Sequence, residues 1–323
     1  MKLTGSQIVV KALKANGVDY VAGVPGEGAR GLLDALLAPG TGLPFIHVMQ
    51  EHSGIHLADG YFRACGRPMA VVLAGPLERS KAVGAVAAAQ ALLVISGVHD
   101  DTEGMTIEGL PQALRQAFET MLSERGPVNL PIAVAVQNAT LGTRLPPASL
   151  RAEPPSPGAT NVAVLRQARV SRSALEADAI LVVGGGGVQA RLGELFPSHH
   201  PASHLSTETL GWAVPAAIGA RLAMPARQVV CAVGSTDFLQ SLQEMAVCVM
   251  HSIPVVFLVF SASAEFNLPD GKPYAPDFAG IARNFGLEAW RVEHASQFNQ
   301  TFIKALNSTG PSLVEVMTAA SAP

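Results

Sequence analysis

Charge is scarce in this 323-residue chain: Asp, Glu, Lys and Arg make up 15% of it, aromatics only 5%, and there are just 3 cysteines. With a net charge of -3 and basic residues scattered rather than striped, nothing favours a phosphate-backbone partner, and nucleic acid is not expected. Cys65, Cys231 and Cys248 lie far apart and form no CxxC pair, which excludes a disulfide framework or a cysteine zinc site and suits a reducing compartment. Long apolar runs are also missing. The best, Ile253 to Phe260, contains Pro254 and falls well short of the roughly 18 residues that a bilayer span needs. It reads as a buried strand, so no membrane partner is expected. The amino terminus spreads its lysines through an amphipathic pattern and shows no export signal, so a cytoplasmic location is expected.

What the chain does have is burial capacity: 49% hydrophobic residues over a length sufficient for two domains and a short third piece. Residues 4 to 16 carry apolar side chains at helical spacing after Thr4, with Gly17 as a stop. Strand-like VDYVAGV, HVMQE, MAVVLAG (69 to 75) and ALLVISG (91 to 97) follow. A helix over 51 to 63, another over 111 to 124 and a closing strand PVNLPIAVAV complete an alternation that argues for a parallel sheet. From Leu145 to Gly158 five prolines interrupt the pattern and mark a linker. A helix over 162 to 176 and the strand–glycine stretch AILVVGGGGVQA read as one small α/β unit. Alternation then resumes: VPAAIGARLA helix, RQVVCAVG strand, SLQEMAVCVMHS helix, PVVFLVFS strand, DFAGIARNFG helix and PSLVEVM strand.

Architecture of this kind hosts many chemistries, so local wording has to decide. GVDYVAGVPGEG (17 to 28), QEHSGIHLADGYFRACGRP (50 to 68), VLAG and LLVISG resemble the pyrimidine-binding domain of the thiamine-diphosphate-dependent 2-oxo-acid enzymes, the acetolactate synthase and benzoylformate decarboxylase group. TLGWAVPAAIGARLAMPARQVVCAVG (209 to 234) and the segments after it resemble the same group's diphosphate-binding domain. The resemblance implies an α/β fold of two parallel-sheet, three-layer domains of the thiamine-diphosphate-binding type. Residues 1–142 are pyrimidine-binding-like, 143–200 a proline-rich linker and reduced middle segment, and 201–323 diphosphate-binding-like. A middle segment that short implies no flavin (FAD) site.

The same resemblance implies a lyase or carboligase acting on a small 2-oxo acid, with thiamine diphosphate as cofactor. It implies a homodimer or homotetramer, Glu51 of one subunit facing the diphosphate-binding domain of another. Glu51 stands where the family's glutamate hydrogen-bonds the aminopyrimidine ring. A carboxyl in an apolar, partly closed cleft can share a proton with a ring nitrogen. The plainer alternative is an acid suited to the positive end of its helix. Pro25 and Gly26 fall in the cofactor-binding turn. Leu210 holds the place of a bulky apolar prop under the cofactor, followed by Gly211, although a leucine at a helix entrance is often core.

At the diphosphate end the wording departs from the family. After Gly234 the metal-binding aspartate position holds Ser235, and Ser261 and Ala262 hold the place of an asparagine pair, which puts Mg2+ in doubt. Asp237 is the candidate replacement ligand, with Ser261 or Ser263 as a neutral partner, or else a helix N-cap. Glu208 replaces a glycine and brings a negative charge. The SGPG wording expected after VVLA is AGPLERSKAVGA, where Arg79 and Lys81 could meet an anion or simply be solvated. The run Gly184 to Gly187 reads as a tight turn, since no acidic residue follows at dinucleotide-fold spacing. His199, His200, His204 and Glu208 crowd into ten residues, with His204 and Glu208 on one face if helical, a weak metal-site pattern. A divergent member that does not bind the cofactor conventionally, acting as a cofactor-independent enzyme or a regulatory or scaffold protein, is the alternative.

Overall fold

The computed structural model describes residues 2–98, 104–142, 175–185, 202–262 and 266–318, and divides into two compact units, Met1–Pro154 and Pro155–Pro323. The helix expected over 162 to 176 falls almost wholly outside the described residues, as do Gly186, Gly187, His199, His200 and Ser263.

The first unit opens with β1 (Lys2–Thr4) and α1 (Gly5–Ala15). Thr4 caps α1 in a reciprocal box, its hydroxyl accepting from the Gln7 amide while the Gln7 side chain accepts from the Thr4 amide. Then come β2 (Val21–Gly23), α2 (Arg30–Leu37), β3 (Phe45–His47), α3 (Glu51–Cys65), β4 (Ala70–Leu73), α4 (Val83–Ala88), β5 (Leu93–Val98), α5 (Leu110–Glu124) and β6 (Val128–Ala133). The closing strand therefore stops three residues early, and α6 (Val134–Asn138) turns the chain back to β7 (Thr140–Gly142), which pairs antiparallel with β1.

β3, β2, β4, β5 and β6 lie in that order as one parallel sheet. Period-two alternation sends Val21, Ala70, Val72, Leu93 and Ile95 to one face, packed with Ile8, Leu13, Leu32, Leu36, Leu114 and Phe118 of α1, α2 and α5. The other face receives α3, whose Gly54 lies against Val71, Val48 and Ala22. Eleven of the fifteen α3 residues are buried, so this helix is fixed on nearly every side. Three layers result, as expected.

The second unit contains β8 (Ile180–Val183), β9 (His204–Ser206), α7 (Ala213–Ala223), β10 (Val229–Gly234), α8 (Ser235–Phe238), α9 (Met245–Met250) and β11 (Val256–Ala262). The hairpin of β12 (Phe266–Asn267) and β13 (Pro273–Tyr274), α10 (Phe278–Phe285), β14 (Glu288–Val292), α11 (Ala295–Leu306) and β15 (Ser312–Thr318) complete it. Its sheet, β14-β15-β11-β10-β8-β9, is parallel throughout. β8, from the stretch assigned by sequence to a middle segment, hydrogen-bonds to β10 as an interior strand of this sheet. Leu181, Val230, Ala232, Leu258 and Val314 bury one face with Phe302 and Ala305 of α11. On the other, Phe238 meets Phe257 and Phe278 at ring separations of 6.4 and 5.5 Å. Each such ring withdrawn from water contributes on the order of 2 kcal/mol.

Both sheets start the same way. The first crossover runs to an outer strand and the second returns past the starting strand, so strand direction of travel reverses between β2 and β4 in one unit and between β8 and β10 in the other. In open parallel sheets, ligand sites form at the carboxyl ends of the strands flanking such a reversal. Among the described residues no helix is long and apolar enough to cross a membrane.

Candidate functional site

In the first unit the reversal point is built by the loops that follow β2 and β4. Pro25 is exposed and Gly26 partly buried in the turn after β2, with Gly26 against the Ala74 side chain after β4. Backbones touch here: a Cβ on Gly97, at the end of β5, would stand 2.1 Å from the Gly28 carbonyl oxygen, so only hydrogen fits. Gln137 closes the loop from behind by donating its side-chain amide to that same carbonyl at 2.7 Å.

Glu51 enters this crevice as the first residue of α3, half-buried, after the extended Gln50. Its carboxylate is directed by a neighbour that sequence reasoning missed: the Ser80 hydroxyl donates to Glu51 Oε2 at 2.5 Å and accepts from the Ala82 amide at 2.9 Å. The second contact fixes the hydroxyl, so the first holds Oε2 and leaves Oε1 to other partners. Ser80 stands just before a helix, a usual place for a hydroxyl that binds backbone amides, and that was the available signal. Of the two cations expected in the same loop, Arg79 and Lys81 are both exposed, and Lys81 acts electrostatically on His52 beside Glu51. Burial first, then Lys81, pushes the His52 pKa below its usual value against the pull of Glu51. His56, one turn along α3, is buried edge-on to His52 with ring centroids 6.0 Å apart, and desolvation takes its pKa down to about 4. The helix itself is pinned at mid-length, where buried Asp59 accepts from the Gln90 amide and the Arg63 side chain, each at 2.8 Å.

In the second unit the reversal point joins Gly184 and Gly185 after β8 to the chain after β10. Asp237 lies here, in α8 and 3% exposed, and it is not an N-cap for the segment that follows. Its Oδ1 accepts from the Gly211 amide at 2.5 Å. Its Oδ2 lies against Gly184 and Gly185, where the Gly185 amide supports the charge without closing an aligned hydrogen bond. A Cβ on Gly184 would come within 1.7 Å of that oxygen, so the glycine read as a turn residue is there to admit the carboxylate. Burial raises the Asp237 pKa, and the Gly211 and Gly185 amides draw it back. Gly211 adopts φ +79°, the left-handed geometry that turns its amide toward Asp237.

The neighbouring candidates are arranged differently. Leu210 is 51% exposed, which removes the plain-core reading and leaves an apolar side chain projecting beside the carboxylate loop. Glu208 backs onto Gly185 through its main chain while its side chain is exposed. Ser235, next to Gly234, is buried and donates its hydroxyl to the Phe260 carbonyl at 3.1 Å. Ser261 is fully buried, with no hydrogen-bond partner for its hydroxyl among the described residues. His204 belongs to β9 rather than to a helix, so its expected helical pairing with Glu208 does not occur. Among the described residues no three His, Cys, Asp or Glu side chains gather to hold a metal ion.

Comparison with known proteins bears on both units. The sequence model described as "Thiamine pyrophosphate enzyme, N-terminal TPP binding domain" matches residues 3–117, and its C-terminal TPP binding counterpart matches residues 184–264 and 261–316. The chain belongs to the thiamine pyrophosphate enzyme family. A Methanococcus aeolicus protein named "Probable acetolactate synthase large subunit" is 30% identical over 152 residues, covering 42% of this chain and 25% of that relative. The match thus spans about a quarter of the relative's length. A Mycobacterium smegmatis protein titled "a putative thiamin diphosphate-dependent enzyme" superimposes with a TM-score of 0.85 at 17% identity, covering 99% of this chain and all of that one. A Rhodococcus jostii thiamine diphosphate-dependent 4-hydroxybenzoylformate decarboxylase gives 0.78 at 16% identity, with 99% and 100% covered. At such identities these two likenesses show the fold, and the family rests on the sequence matches.

The two halves fit the family's cofactor unequally. A half-buried carboxylate with one oxygen tied and one free suits a ring nitrogen, and an exposed leucine suits the prop. The end of β10 does not suit a divalent cation in the family's manner. Hard cations take several oxygen ligands, whereas the Ser235 hydroxyl is committed to a carbonyl and the one carboxylate faces backbone amides.

Proposed function

We propose that this chain is a lyase or carboligase acting on a small 2-oxo acid, with Glu51 as its proton-handling group and thiamine diphosphate as its cofactor, anchored without the family's metal. The observation that carries the reading is the Glu51 carboxylate at the first sheet's reversal point with Ser80 fixing one of its oxygens. Thiamine diphosphate, when bound, supplies an electron sink for making or breaking a carbon bond beside a 2-oxo carbonyl. The protein's part is to hold and move a proton at Glu51 Oε1, to keep α3 still through Asp59, and to offer Leu210 as apolar support. His52, its pKa lowered by burial and Lys81, stands beside the carboxylate as a neutral ring at neutral pH. A homodimer or homotetramer is the proposed assembly, without a flavin.

A second reading has its own observation. Asp237 folded onto Gly211, with the Ser235 hydroxyl spent on Phe260, favours a divergent member that has given up conventional cofactor binding for a cofactor-independent or regulatory role. Calorimetric titration with thiamine diphosphate, with and without magnesium, separates the two. Micromolar binding that does not require magnesium, weakened about tenfold or more in Glu51→Gln, supports the first reading, since a hydrogen bond to a charged group contributes about 1.5–3 kcal/mol; binding that requires magnesium overturns its metal-free anchoring. No binding in both buffers leaves the second.

A further inference from the structure

Three backbone segments converge on one buried carboxylate in the second unit. The ends of β8 and β10 and the turn before α7 bring Gly184, Gly185 and Gly211 around Asp237, which is 3% exposed. The Gly211 and Gly185 amides face the carboxylate, while the Gly184 amide donates to the Ala232 carbonyl at 2.9 Å and that residue contributes only the space left by its missing Cβ; inward-facing amides beside a left-handed glycine are the arrangement by which backbone nests take anions. Here the space already holds a negative charge supplied by the chain. The fit is imperfect: Oδ1 is well bonded to Gly211, yet Oδ2 is buried without an aligned donor among the described residues. A tetrahedral phosphate, with three oxygens to present in different directions, can align one with the Gly185 amide while another meets Gly211.

We propose that Asp237 is a built-in anion that closes a phosphate-binding cradle formed by the Gly185 and Gly211 amides around the space left open at Gly184. A ligand's terminal phosphate or diphosphate group can enter only when this side chain is removed or displaced. The inference deepens the second of the two readings above, in which conventional cofactor binding has been given up, and rests on taking the second unit as the diphosphate-binding half. It also accounts for two sequence features together. Gly184 must lack a Cβ because Asp237 Oδ2 occupies that space, and the position two residues before Asp237 has no acid because a second carboxylate beside the first would repel it.

The test uses the full chain and inorganic pyrophosphate, without thiamine. Its failure is therefore distinguishable from failure of the Glu51 reading, which titrates the ring-bearing cofactor. Asp237→Ser removes the charge and opens the space; Asp237→Asn removes the charge at nearly constant volume and keeps an oxygen for Gly211. Calorimetry should show weak or no pyrophosphate binding to the native chain, a gain of at least about tenfold in Asp237→Ser, and a smaller gain in Asp237→Asn. Pyrophosphate should also raise the Tm of Asp237→Ser but not that of the native chain. Folded variants, verified by gel filtration and circular dichroism, that bind no better than the native chain would overturn the proposal. So would tight pyrophosphate binding by the native chain. Failure of both variants to fold even with pyrophosphate present would overturn it too, because a cradle that an external anion cannot refill is not one.

Discussion

Acidification should destabilise the first unit through His56, and the size of the effect follows from its burial. The imidazole is 4% exposed on α3, packed edge-on to His52, and its pKa in the folded chain is about 4 against 6.5 for an unburied histidine. The unfolded chain therefore takes up a proton near pH 6.5 that the folded chain refuses until about pH 4. Between those values stability falls as pH falls, by about 1.4 kcal/mol per pH unit, or about 3 kcal/mol in all; above pH 6.5 His56 contributes no slope. Urea unfolding of the native chain and of His56→Gln, followed by far-ultraviolet circular dichroism at pH 7.5, 6.5, 5.5 and 4.5, isolates the effect as the difference between two curves. His52, also depressed by burial, steepens the native slope and is present in both proteins, so it cancels to first order. Trp212 and Trp290 both lie in the second unit, so their fluorescence reports that unit separately. Parallel pH profiles for the two proteins would refute the burial argument.

Two further substitutions probe the same crevice. Ser80→Ala removes the hydroxyl that orients Glu51 and leaves the Ala82 amide without that acceptor. It should lower stability by about 1 kcal/mol and weaken thiamine diphosphate binding several-fold in calorimetry, with Ser80→Thr restoring both. Gly97→Ala drives a Cβ to within 2.1 Å of the Gly28 carbonyl oxygen, a backbone collision expected to cost about 2 kcal/mol or more. Thermal melts should show a loss of several degrees, while Gly75→Ala, with open space at its Cβ, leaves the Tm close to native.

Sequence pattern made the alternation of strands and helices legible because each element buries its own face, and that periodicity is local. The α3 helix and the central strands β4, β5, β10 and β11 lie where apolar runs place them. Elements without such runs were missed: β9, which starts at the last residue of the loop-like SHHPASH stretch, takes its place from pairing with β8, and β14 with α11 falls in polar wording. Strand order is non-local and was not legible at all. Yet it is what brings the turn of residues 25–28 beside Ala74, and Gly184 beside Asp237.

The same limit explains how the site was read. Glu51 could be singled out because its flanking residues carry the resemblance, whereas its partner Ser80 stands 29 residues away in a loop whose wording departs from the family. Asp237 was weighed as a metal ligand or a helix cap, since an acid near a strand end ordinarily does one or the other. Neither option accounts for a carboxylate with backbone amides on one side and a glycine stripped of Cβ on the other. The glycine run and the aspartate are separated by some fifty positions in the chain and become one feature only when β8 pairs with β10. On the resemblance, Ser235 stands where an acid is expected and Asp237 carries one two residues on; a carboxylate turned inward onto the amides gives the strand ends a negative charge without a cation, at the expense of whatever anion those amides would otherwise hold.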